Sequence, residues 1–105
     1  VAHVDEPPAG AIPPLRLQNA PNPFSGSTRI ELTLAGGPPR PARVEVVDAL
    51  GRCVATLFQG LAHPGVTTFS WDGRTASGVS APSGLYFLRA DVDGQTIARR
   101  VLRAR

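Results

Sequence analysis

From Thr28 onward apolar and polar residues alternate one for one, with Ile30, Leu32 and Leu34 in one phase and Arg29, Glu31 and Thr33 in the other. A period of two puts one set on a buried sheet face and the other toward water, which predicts a strand. The alternation recurs in Val44 and Val46, with Arg43 and Glu45 expected outside, and in Thr67, Phe69 and Trp71 against Thr68 and Ser70. It returns in Tyr86, Leu88, Ala90 and Val92 against Arg89 and Asp91. Leu15 and Leu17 around Arg16 predict a first strand, and Val54 with Leu57 a short one. Gln95 to Arg103 completes the set. There Arg99 and Arg100 put an arginine on each face, so a bulge or an edge position is expected.

Turn chemistry separates these runs. Asn19-Ala20-Pro21-Asn22-Pro23-Phe24 reads as a structured turn with Phe24 as its anchor in the core, and Gly36-Gly37-Pro38-Pro39 as a break. In Asp48-Ala49-Leu50-Gly51-Arg52, Gly51 is the candidate for a left-handed backbone. His63-Pro64-Gly65 and Asp72-Gly73 are further turns, and Asp93-Gly94 suits a two-residue hairpin. The stretch from Trp71 to Arg89 organises the rest, because it joins two strands across one polar loop carrying Gly78, Pro82 and Gly84. Seven strands with turn signals roughly every 8 to 12 residues predict an all-β chain, an immunoglobulin-like antiparallel β-sandwich.

Composition agrees: 11 Gly and 11 Pro in 105 residues suit short strands joined by turns, and the length suits one domain. That domain is expected over residues 15–105. Pro7, Pro8, Pro13 and Pro14 make residues 1–14 a Pro-rich linker or extended arm, with something expected upstream of it. Val1 in place of a methionine fits a piece or processed product of a longer polypeptide. No run reaches the ~20 apolar residues that span a bilayer and no signal peptide opens the chain, so a soluble segment without a transmembrane span is expected. Cys53 is the single cysteine and leaves no internal disulfide.

The net charge is +3 and every cation is an arginine, with Arg99, Arg100, Arg103 and Arg105 crowding the end. Such a tail attracts anionic partners by screened Coulomb forces. We read it as a solvated strand edge, where charge deters sheet-to-sheet aggregation, and expect no nucleic-acid partner. Candidate chemistry is thin. His3 and His63 have no second ligand at metal spacing, Asp91 and Asp93 are too few for a calcium loop, and Ser70, Ser77, Ser80 and Ser83 lack a nucleophile elbow. No catalytic residue, metal or cofactor is assigned, and the chain is read as a non-enzyme. Trp71, Tyr86 and Phe87 could stack on a sugar or a base, but alternation already accounts for Trp71 and Tyr86 as core.

The succession NAPNPFSGSTRIELTL, VEVVDALGRCVATL, the Gly65 turn, WDGRTASGVSAPSGLYFLRA and TIARRVLR resembles the C-terminal sorting domains of type IX secretion cargo. The Ig-like domain of the flagellar hook-capping protein shares the pattern. The resemblance runs from Leu15 to Arg105. Its structural pieces are Asn22, Pro23 and Phe24; Asp48, Gly51 and Arg52; and Trp71, Asp72 and Gly73. Ser25-Gly26 and a longer loop between Arg74 and Gly84 depart from it. The resemblance implies a non-catalytic appendage, behind an upstream cargo domain of the same polypeptide, of a secreted or cell-surface bacterial protein exported via the periplasm and read by outer-membrane secretion machinery. Gly84, Tyr86, Arg99, Arg100, Val101, Leu102 and Arg103 would carry that recognition, with the terminal strand adding to a partner's sheet. The alternative is a structural module that packs with neighbouring subunits in self-assembly, or decorates an extracellular filament or surface layer. A carbohydrate-binding accessory module ranks last.

Overall fold

The computed structural model describes residues 15–104; the expected arm over residues 1–14 lies outside the described residues. Seven strands follow in order: β1 (Arg16–Ala20), β2 (Thr28–Leu34), β3 (Arg40–Asp48), β4 (Cys53–Ala62), β5 (Gly65–Trp71), β6 (Gly84–Val92) and β7 (Gln95–Arg103). There is no helix among the described residues. One sheet has the order β1-β2-β5 and the other β4-β3-β6-β7, and every pairing is antiparallel. This is an Ig-like β-sandwich whose fourth strand pairs with the third. The constant-type arrangement, in which the fourth strand joins the first sheet, is not adopted.

Burial follows the alternation closely. Leu17, Ile30, Leu32, Val44, Val46, Leu88, Ala90, Val92 and Val101 are fully or almost fully buried between the sheets, beside Trp71 and Phe24. Each large apolar side chain so buried contributes about 1.5–3 kcal/mol against exposure. At the hairpin between β6 and β7, Asp93 and Gly94 have φ of 50° and 86°, the left-handed pair that a tight two-residue turn needs.

Two expectations need correction. β4 is the longest strand, 10 residues, where a short one was predicted. Its alternation is interrupted because the register shifts against β3 between Val44 and Glu45 and again between Val46 and Val47. Those irregularities let Val54 and Leu57, in opposite phases of a regular strand, both pack on the core. Second, Glu45 lies on the outer face of its sheet but is not solvated: it is 2% exposed. Arg43 and Arg89 cover it, with Arg43 Nε 3.0 Å from Oε2 and Arg89 donating to Oε1. Removal of either arginine would leave part of this buried carboxylate unpaired, which is the costly way to break such a contact.

β7 is an edge strand, as Arg99 and Arg100 suggested, and it carries no bulge against β6. Val101 fixes its inward phase, opposite buried Tyr86. Arg99 and Arg103 therefore share the core-facing side, and Arg100 and Leu102 take the outer one.

Candidate functional site

β1, β3, β5 and β7 all finish at one end of the sandwich, so the loops 21–27, 49–52 and 72–83 meet the end of the last strand there. Every structural motif of the sequence falls at this end. Asn22 lies between two prolines, and both of its X–Pro bonds, Ala20–Pro21 and Asn22–Pro23, are cis. Its side chain pairs with the edge of β7: Nδ2 donates to the Arg100 carbonyl at 3.1 Å and Oδ1 accepts from the Leu102 N–H at 2.8 Å. Phe24 continues the pairing with its backbone, donating to the Leu102 carbonyl at 3.0 Å and accepting from Ala104 at 2.7 Å. The C-terminal half of β7 is thus already covered by its own chain. Addition of a partner strand along the whole of β7, Gln95 to Arg103, is not available; Arg105 lies outside the described residues.

Beneath this cap three aromatic rings pack in series. Phe24 and Trp71 have centroids 5.4 Å apart, and Trp71 and Tyr86 meet edge to face at 5.2 Å. The polar tips are satisfied as burial requires. Trp71 Nε1 donates to the Arg74 carbonyl at 2.9 Å, and the Tyr86 hydroxyl donates to the Pro82 carbonyl four residues upstream. The latter is the tyrosine corner of Ig-like sandwiches, at the start of the sixth strand. Burial pushes the Tyr86 phenol above its ordinary value of 10.0, so it remains a donor at neutral pH.

Arg103 ties the loops together. Nε donates to the Ala81 carbonyl at 3.0 Å, one terminal nitrogen to Ser25 O at 2.8 Å and the other to Ser80 Oγ at 2.9 Å. The guanidinium carbon stands 5.5 Å from the centre of the Phe24 ring. Gly73, with φ 78°, passes so close that a Cβ would overlap the guanidinium. The left-handed backbone favours glycine there, and any side chain would also push the Arg103 guanidinium off its acceptors. Asp72 Oδ1 accepts from Arg74 N at 3.1 Å and shapes the same turn.

The turn between β3 and β4 is built on Asp48. Its Oδ1 accepts from Leu50 N and Arg52 N, both at 2.9 Å, and its Oδ2 from Arg52 Nε at 2.9 Å. Gly51 supplies φ 84°. The Arg52 backbone N–H, then the Arg52 side chain and the Leu50 N–H, hold the Asp48 carboxyl below its ordinary value of 3.8.

The residues expected to meet a partner divide accordingly. Val101 and Tyr86 are buried, and Arg103 is half-buried in the loops. Arg99 donates through Nε to the Leu17 carbonyl at 3.0 Å, bridging the edges of the two sheets. Arg100, Leu102 and Gly84 are exposed. Sequence reasoning missed the edge-capping role of Asn22 and the parts of Ser25, Ser80, Ala81 and Pro82 as acceptors. The Asn between two prolines was a visible signal for the first. Among the described residues no group of three or more His, Cys, Asp or Glu could hold a metal ion, and no helix is long and apolar enough to cross a membrane.

The site and fold define a class: an Ig-like sandwich without a disulfide whose signature residues build one sewn end. The model of the FlgD Ig-like domain matches residues 19–96, well over half of the chain, and the chain belongs to that family. The basal-body rod modification protein FlgD of Salmonella typhimurium is 44% identical over 41 residues. That stretch is 39% of this chain and 18% of the relative, and the same protein of Salmonella typhi matches equally. The chain thus corresponds to less than a fifth of these curated relatives. Among solved structures, dimeric latent PorU from Porphyromonas gingivalis has a TM-score of 0.72 at 23% identity, covering 90% of this chain and 10% of that one. PorZ of the same bacterium, a surface component of its type IX secretion system, has a TM-score of 0.53 at 22% identity, covering 85% and 11%. Both bear on the fold.

Proposed function

We propose that this chain is a non-catalytic address domain of a larger exported bacterial protein, recognised at the cell surface by type IX secretion machinery. The observation that carries this reading is the outer face at the end of β7. Arg100 and Leu102 are exposed, while the Asn22–Phe24 cap and Arg103 hold the strand beneath them in one conformation. Leu102 stands opposite Leu85, 37% exposed, and Arg100 opposite Phe87, so a cation and an apolar patch share one rigid surface. A preorganised patch of that kind loses little entropy on binding. The likeness to PorU and to PorZ, the latter a surface component of the type IX system, supports the choice of machinery. Arg99 and Gly84 lie in the inward phase beside the patch and border it at the sheet edge, and Tyr86, Val101 and Arg103 support it from below.

The test is export of a fluorescent reporter bearing a periplasmic signal peptide and this chain at its C-terminus, in a type IX-competent bacterium. Deleting Gln95 to Arg105 is unsuitable, because it removes all of β7 with the buried Val101 and so confounds loss of recognition with loss of the fold. The pair Arg100→Glu and Leu102→Asp changes exposed groups only. Surface or medium delivery should fall by about tenfold or more, the factor carried by 1.4 kcal/mol of lost binding, with the melting temperature unchanged. Unaltered delivery by the double variant would refute the assignment.

A further inference from the structure

The two long sides of the sandwich are closed differently. On the side of β1 and β7 the gap between sheets is bridged by Arg99, and the β7 edge is capped by Asn22 and Phe24. On the other side lie β4 and β5, and from Cys53 to Trp71 the sequence contains no Asp, Glu, Lys or Arg. There Phe58 and Phe69, both half-buried, meet across the gap with centroids 5.4 Å apart. Leu61 and Val66, 58% and 60% exposed, flank the two edges. Single-chain proteins protect edge strands with charge, proline, bulges or a covering segment. Near its start β4 has a cover, since Ala76 N donates to the Val54 carbonyl at 3.0 Å. From Phe58 to Ala62 none is present among the described residues.

The main chain of that segment is set up for pairing. Pro41 accepts from Asp93 N at 3.0 Å, so its peptide groups are turned toward β6. Leu61 stands opposite Pro41 and Gln59 opposite Arg43, out of the hydrogen-bonded pairs between β3 and β4. The N–H and C=O of Gln59 and Leu61 therefore point to the open edge. We propose that this edge is an interface with a second copy of the chain, in which the two β4 strands pair antiparallel about a two-fold axis at Gly60. Gln59 of each copy then stands opposite Leu61 of the other. Charge chooses the occupant: an uncharged strand meets its own copy without like-charge repulsion and gives a charged partner nothing to recognise, whereas β7 against β7 would set arginine beside arginine. The inference does not rest on the secretion reading, which uses the opposite edge.

Sedimentation of the 105-residue chain from roughly 1 μM to 1 mM tests it, a range that brackets the weak end of specific association. A concentration-dependent dimer is expected. Leu61→Lys with Val66→Lys, both at exposed positions, should weaken it about tenfold or more without lowering the melting temperature, since lysines at an edge oppose pairing. Leu102→Lys, on the far side, should leave it intact. A chain that stays monomeric throughout overturns the proposal, as does a dimer indifferent to the lysines on β4 and β5. A dimer that only Leu102→Lys breaks moves the interface to the other edge and overturns it equally.

Discussion

The two ends of this sandwich are closed by different physics. At the end where β7 finishes, hydrogen bonds cross between loops: Asn22 reaches Leu102, Arg103 reaches Ser25, Ser80 and Ala81, and Ala81 N donates to Gly73 O at 2.7 Å. At the opposite end the connections are short and largely self-contained. Arg40 donates to Ala35 O at 2.9 Å and to Gly36 O at 3.2 Å, within one turn, and Asp93 with Gly94 closes the last hairpin by backbone conformation. The first end depends on contacts between residues far apart in the chain. The second depends on glycines and on local geometry. Damage at the first should spread across two loops and the end of β7, whereas damage at the second should stay in the turn that carries it.

The largest expected effect comes from the ring at the centre of the sewn end. Trp71, 2% exposed, packs between Phe24 and Tyr86, and Trp71→Ala should cost about 3–5 kcal/mol through lost burial and the cavity left behind. Urea unfolding measures it; near-wild-type stability would remove Trp71 from the core.

Arg103 gives a sharper test of the contrast. Arg103→Ala strands the carbonyl of buried Ala81, leaves Ser25 O to solvent and strips the face of Phe24, for an expected loss of about 2–3 kcal/mol. Arg103→Lys should recover less than half, since one ammonium cannot reach three acceptors that a planar fork spans. The matching change at the other end is Gly94→Ala, with φ 86°. It should cost only about 1 kcal/mol, the penalty of a side chain in left-handed backbone. Amide exchange should then separate the ends: faster exchange at Leu102 and Ala81 together in the Arg103 variant, and confined to the hairpin in the Gly94 variant. Confined exchange in both would break the comparison.

Much of this was legible in the sequence, and the illegible part has a physical cause. Alternation and turn residues marked out seven strands and located nearly every buried aliphatic side chain, because a strand's faces follow from neighbours one and two positions away. Arg103 was read as part of a solvated charged tail. The phase of β7 held the contrary signal, since apolar Val101 marks the inward face and Arg103 shares it. Knowing that an arginine on that face would find acceptors required loops 22 and 78 positions away in sequence. Glu45 shows the same limit: alternation put it on the outer face correctly, yet only the lateral pairing of β3 with β6 brings Arg89 over it. The motifs themselves were visible as separate turns. Their convergence at one end is a property of topology.

The smallest expected effect lies in the turn between β3 and β4, where the sewn end uses a local device. The Asp48 carboxylate accepts two backbone N–H groups and the Arg52 side chain, and its pKa is accordingly held below 3.8 in the folded chain. A depressed pKa means that the ionised group stabilises the fold at every pH above its unfolded value, and that this contribution fades as pH falls through the folded value. Thermal unfolding of the chain and of its Asp48→Asn variant should therefore differ at pH 7 and converge progressively below about pH 3.8, until the carboxyl is protonated in the folded and unfolded states alike. Arg52→Gln should narrow the neutral-pH gap only in part, because Arg52 N and Leu50 N remain as donors. Were the gap between the chain and the Asp48→Asn variant constant from about pH 7 to pH 2, across the whole carboxylate range, ionisation of Asp48 would add nothing to the fold and its charged contacts would not be what holds the turn.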